Sequence, residues 1–125
     1  MQQTLKLDAK MSQEHLDVLN IIKECKDDAI TRKQIVAMLG KDATYFRQLN
    51  DIITDLVVIF KEPIGSSSNK YKKGYFYCED ENDFRIARNS LISRVDKIME
   101  RERVLYELSK NNKKRMVLKW KNLTY

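Results

Sequence analysis

Proline, histidine, cysteine and glycine are scarce in this chain: one, one, two and three among 125 residues. Each scarcity closes off a class of chemistry. Three glycines, at Gly40, Gly65 and Gly74, make no glycine-rich loop to cradle a phosphate. A single histidine, His15, leaves no histidine-based triad. With Cys25 and Cys78 far apart and in no Cys-x-x-Cys pair, no zinc-ligand spacing remains either. Both thiols lie in apolar-patterned stretches and read as free and buried. No apolar run approaches the roughly 20 residues of a membrane helix, and the start "MQQTLKLDAKMSQEH" has no signal-peptide core. These absences predict a cytoplasmic protein that is not an enzyme, carries no metal or cofactor and spans no membrane.

Acidic residues are missing from one place in particular. None follows Glu107, whereas "KNNKKRMVLKWKNLTY" contains Lys110, Lys113, Lys114, Arg115, Lys119 and Lys121. Taking those six from the 24 lysines and arginines leaves 18, which balance the chain's 18 acids. The whole net charge of +6 therefore belongs to the last segment. A tail of that kind suits a polyanion, nucleic acid first, and also serves plain solubility.

What is present reads as an ordered series of elements. Ser12 caps a helix whose Leu16, Val18, Leu19, Ile22 and Cys25 recur at helical spacing. In "ITRKQIVAMLG", Thr31 and Gln34 form a capping box, Ile30 and Ile35 a hydrophobic staple, and Gly40 stands at the C-terminal cap. The turn "GKDA" leads to a third helix in "TYFRQLNDIITDL". There Phe46, Leu49, Ile53 and Leu56 share a stripe, with Ile52 at its edge. Thr44, Arg47, Asp51, Thr54 and Asp55 point away, Gln48 sits at the border, and Tyr45 is partly buried. The runs "VVIFKE" and "KGYFYC" predict a hairpin whose long tip holds Gly65, three serines and Asn69. The acids Glu79, Asp80, Glu81 and Asp83 then favour a helix N-terminus. The following stretch, free of glycine and proline, predicts a long helix to about residue 110. "RMVLKW" beyond it reads as a short strand or a loose arm.

The fold class expected is mainly α with a small β-hairpin, α+β overall: an arm over 1–11, a winged helix-turn-helix domain over 12–80 with its wing at 57–78, a long helix over 81–110 and a basic tail over 111–125. Leu91, Val95, Ile98, Leu105 and Leu108 form an apolar stripe, interrupted near Arg101 and Glu102, that is too irregular for a clean coiled coil yet too long to cover one small core. It predicts a homodimer through that helix, with packing back on its own domain as the alternative.

At this point "ITRKQIVAMLGKDATYFRQLNDIITDL…FKEPI…KGYFY" resembles the N-terminal winged domain of the DeoR-type and WYL-type bacterial transcription regulators. The likeness covers roughly residues 14–78. It departs from that pattern in a longer turn "GKDA" and in having nothing after residue 78 like a sugar-phosphate or WYL effector domain, so no small-molecule effector is carried over. The resemblance implies double-stranded DNA as partner. It places the third helix in the major groove, with Thr44, Arg47 and Gln48 near base edges and Asp51 at the margin. It implies phosphate contacts from Thr31, Arg32 and Lys33 at the second helix's N-terminus, and from Lys70, Lys72 and Lys73 on a wing stretch, 61–74, that carries four lysines against Glu62. Two other readings of the same residues stay open. One is a winged-helix protein–protein or assembly module; the other is a replication or mobile-element accessory protein that binds DNA without regulating transcription. The wing lysines equally suit a soluble edge hairpin with no ligand.

Overall fold

A computed structural model describes residues 10–25, 28–69 and 72–123, with 113–123 described by backbone alone. Lys70 and Tyr71, most of the predicted arm and the side chains of most of the predicted tail thus lie outside the described residues. The chain forms two units, Met1–Ser90 and Leu91–Tyr125, which divide inside the last helix rather than at its start.

In the first unit, α1 (Gln13–Glu24) starts where the Ser12 hydroxyl accepts the His15 N–H at 3.2 Å. Its Val18, Leu19 and Ile22 are buried, while Leu16 is left exposed. α2 (Arg32–Met38) is built as its local sequence dictates. Gln34 N–H donates to Thr31 Oγ1 at 3.2 Å, and Thr31 N–H donates back to Gln34 Oε1 at 2.9 Å, closing the capping box. Its far end closes on Gly40 at φ 72°. Gly40 N–H reaches the Ala37 carbonyl and Lys41 N–H the Val36 carbonyl, so the orphan carbonyls of the last turn are satisfied. A 3₁₀ turn, Ala43–Tyr45, leads into α3 (Phe46–Val58), which buries Leu49, Ile52, Ile53 and Leu56.

The hairpin is where the structure departs from the expectation. "VVIFKE" forms no strand. Val57 and Val58 finish α3, the N–H groups of Ile59 and Phe60 both close on the Asp55 carbonyl, and Lys61 turns through φ 59° ahead of Pro63. β1 is Ile64–Asn69, made of the residues expected at the tip, and it pairs antiparallel with β2 (Lys72–Tyr77) from Ile64↔Tyr77 to Asn69↔Lys72. The hairpin therefore begins at residue 64 rather than 57. The reason is tertiary. Serines of weak strand preference are held by a partner strand rich in aromatics, and Gly65 lets Phe76 and Ala87 close over the strand. A Cβ on Gly65 would stand 2.5 Å from the Ala87 Cβ and 2.9 Å from Phe76 Cζ. β2 also pairs with Ile30 ahead of α2: Ile30 N–H donates to Tyr75 O at 2.8 Å and Tyr75 N–H to Ile30 O at 2.7 Å. Gly74, at φ 121°, gives Ile30 room, because a Cβ there would lie 2.4 Å from its carbonyl oxygen.

The core of this unit joins α1, α2, α3, Ile30 and Ile64 in one cluster. A second, smaller cluster sets Phe76 and Cys78 against Ala87. Ala87 belongs to α4 (Glu81–Leu123), whose first turn is capped reciprocally: Asp83 N–H donates to Asp80 Oδ1 and Glu79 N–H to Asp83 Oδ2. In the second unit this helix continues past residue 110 and takes in "RMVLKW", where a strand or arm was expected. Among the described residues no helix is long and apolar enough to cross a membrane.

Candidate nucleic-acid interface

Tyr45, at the end of the 3₁₀ turn, and Phe46, at the start of α3, are half-buried against the shared core, and each ring keeps one face off it. Both faces hold a cation. The Arg32 guanidinium lies 4.4 Å over the Phe46 ring, and Lys41 Nζ lies 5.6 Å from the Tyr45 centroid. Exposed Lys33 follows Arg32, and exposed Arg47 follows Phe46. No hydrogen bond or ion pair holds Arg47 among the described residues, so its full donor fork faces water. Lys41 was not among the expected contacts. Its signal was the placement of a lysine in the turn just ahead of an aromatic pair.

Two acids border these cations. Asp42 accepts the Thr44 N–H at 3.0 Å as well as the Thr44 hydroxyl, and these bonds hold its carboxyl below the usual range. Glu14 reaches across from α1 to accept from the Tyr45 hydroxyl and, at 2.9 Å, from Gln48 Nε2. Burial first, then the Glu14 carboxylate, push the Tyr45 hydroxyl up to about 12.

The expected base-contact residues are thus not equivalent. Arg47 is free to reach outward and Asp51 is exposed a turn further along. Thr44 lies in the 3₁₀ turn rather than in α3, with its hydroxyl committed to Asp42. Gln48 has its amide nitrogen bonded to Glu14, so its side chain is tied back to α1 rather than left to reach outward. Among the expected phosphate contacts, Arg32 and Lys33 are exposed, and Thr31 is taken up in the capping box.

On the hairpin, Lys73 is exposed. Lys72 is turned inward. Its Nζ bonds Asp83 Oδ1 at 2.9 Å, and it lies 4.4 Å over the Phe76 ring. The cause is the capping of α4, which fixes a carboxylate beside β2. That same lysine, through its hydrogen bond, holds Asp83 below its usual range. His15, expected on the helix surface, is half-buried. It links α1 to α3 through Asp55 at 3.1 Å and stands edge-on to Phe60. Burial pushes the Cys78 thiol up, which leaves it protonated and inert.

The expected dimerisation residues belong to α4. Leu91, Val95, Ile98, Leu105 and Leu108 are all more than half exposed, and Ile92, Met99 and Tyr106 extend the same stripe. Among the described residues no group of three or more histidine, cysteine or acidic side chains could hold a metal ion. No known protein family, curated protein or solved structure matches the chain.

Proposed function

We propose that the chain binds double-stranded DNA as a small cytoplasmic transcriptional regulator, with α2, the turn and α3 acting as a helix-turn-helix and the β1–β2 hairpin as its wing. The observation that carries this reading is the set of exposed cations Arg32, Lys33, Lys41 and Arg47 around the starts of α2 and α3, two of them resting on aromatic faces. Side chains braced in this way lose little freedom when they meet phosphate or base edges. Arg47 is the base reader and matches guanine O6/N7; Arg32, Lys33, Lys41 and Lys73 hold backbone. The pairing of Ile30 with Tyr75 supports the wing, because it fixes the hairpin to the segment that leads into α2. The apolar stripe of α4 supports a homodimer, the arrangement by which two copies read two half-sites.

The test compares two variants across a panel of duplex sequences. Arg47→Ala relaxes sequence preference, at a cost of about 1–3 kcal/mol on the best site, whereas Lys33→Ala weakens all sequences alike. Unchanged sequence preference in Arg47→Ala removes the base-reading role. A second reading, a protein–protein module, is favoured by the same exposed stripe and by the internal commitments of Lys72 and Gln48. Under it, neither variant changes duplex binding.

A further inference from the structure

Every described side chain from Leu91 to Asn112 is exposed. The large apolar residues there repeat every seventh position: Leu91, Ile98 and Leu105 make one row, and Ile92, Met99 and Tyr106 the row beside it. Val95 fills the seam between the first two turns, and Glu102 occupies the equivalent place one heptad later. A strict seven-residue repeat drifts about 20° per heptad on a straight helix, a drift that winding around another helix removes. The pattern therefore suits a helical partner more than a flat surface.

Two features choose the partner and its direction. The stripe from Leu91 to Leu108 is centred near Glu100, so a second copy running the opposite way about that point covers it from end to end. Val95 then meets Leu105, Leu91 meets Ser109, and each Glu102 faces Ile98 with the partner's Arg101 within one turn. A parallel copy in register sets Glu102 against Glu102 in the seam, where two carboxylates are both desolvated and mutually repelled. The second feature is the charge of the chain's end. From Lys110 onward there are six lysines and arginines and no acid. Parallel pairing runs two such segments side by side, whereas antiparallel pairing carries them to opposite ends.

We infer that α4 pairs with α4 of a second copy in antiparallel orientation about a dyad near Glu100, an inference that rests on the dimer reading above. Disulfide trapping in the full chain tests it. Leu91→Cys and Ser109→Cys chains, each also carrying Cys25→Ser, are mixed and oxidised, while Cys78 stays buried. The antiparallel dimer gives the mixed disulfide and little Leu91→Cys self-disulfide. Rapid self-disulfide formation by the Leu91→Cys chain overturns the antiparallel inference and leaves the dimer standing. Because Leu91→Cys alters the seam itself, spin labels at Lys110→Cys provide a second measurement. At 1.5 Å per residue the antiparallel labels stand about 30 Å apart along the axis. Parallel labels stand about 10 Å apart, the spacing of packed helices. A monomer by sedimentation at tens of micromolar overturns the dimer and its orientation together.

Discussion

At the scale of the residue, the side chains that matter divide into those the fold has spent and those it has left free. The capping box of Thr31 and Gln34 is legible in the sequence because both partners lie within one turn. The commitments of Gln48 to Glu14 and of Lys72 to Asp83 are not, since each partner is brought in by tertiary packing. The Lys72–Asp83 pair sets an acid-side dependence. Asp83 titrates below 3.8 when folded, so its contribution is fully present above that value and is lost as the pH falls through the depressed one. Asp83→Asn should lower the melting temperature at pH 7 by a few degrees, about 1 kcal/mol for a partly screened pair, and should flatten the acid limb of the stability curve. Thermal melts of both proteins between pH 2 and about 7 check this. Tyr45 acts in the opposite direction. Its folded value is raised from 10 to about 12, so its contribution is present below 10 and lost as the pH climbs toward 12. Tyr45→Phe should remove that alkaline loss, as read from melts across about pH 9–12.

At the scale of the element, local signals located α1, α2 and α3 and failed at the hairpin. The run "VVIF" carries strand preference, yet its first two residues complete α3, and the serines before Asn69 form β1. Pairing with β2 and the approach of Phe76 and Ala87 outweigh intrinsic preference there, and neither contact is visible in a local window. The glycines mark the places where this matters. Gly74→Ala forces a side chain into positive φ against the Ile30 carbonyl and should cost about 1–3 kcal/mol in denaturant unfolding. Gly40, with open space around it, should tolerate alanine better, at a cost set by its φ alone. The helical period made α4 legible to about residue 110 but not its continuation through "RMVLKW", and the residues that join its stripe, Ile92, Met99 and Tyr106, emerge only with the whole helix in view. Placing aspartate at Leu91, Ile98 and Leu105 together should halve the mass measured by sedimentation. The melting of unit Met1–Ser90 should stay in place, because those three side chains lie outside its core.

At the scale of the whole molecule, charge has two addresses. The net +6 belongs to the last segment, whereas the face formed by Arg32, Lys33, Lys41 and Arg47 sits in a region whose charges balance overall. Bulk composition points to the first address. Only the fold gathers the second, because its members come from two helices and a turn. We propose that this gathered face, rather than the basic end, engages DNA. The most direct test is the salt dependence of duplex binding, measured by fluorescence anisotropy for the natural chain and for a variant with all four cations changed to alanine. The natural chain should show a log–log slope of about −4 per bound copy, as for the four backbone cations Arg32, Lys33, Lys41 and Lys73, and the variant, which removes three of them, should lose about 3 from that slope. Equal slopes in the two proteins, or no binding by the natural chain at low salt, would contradict it.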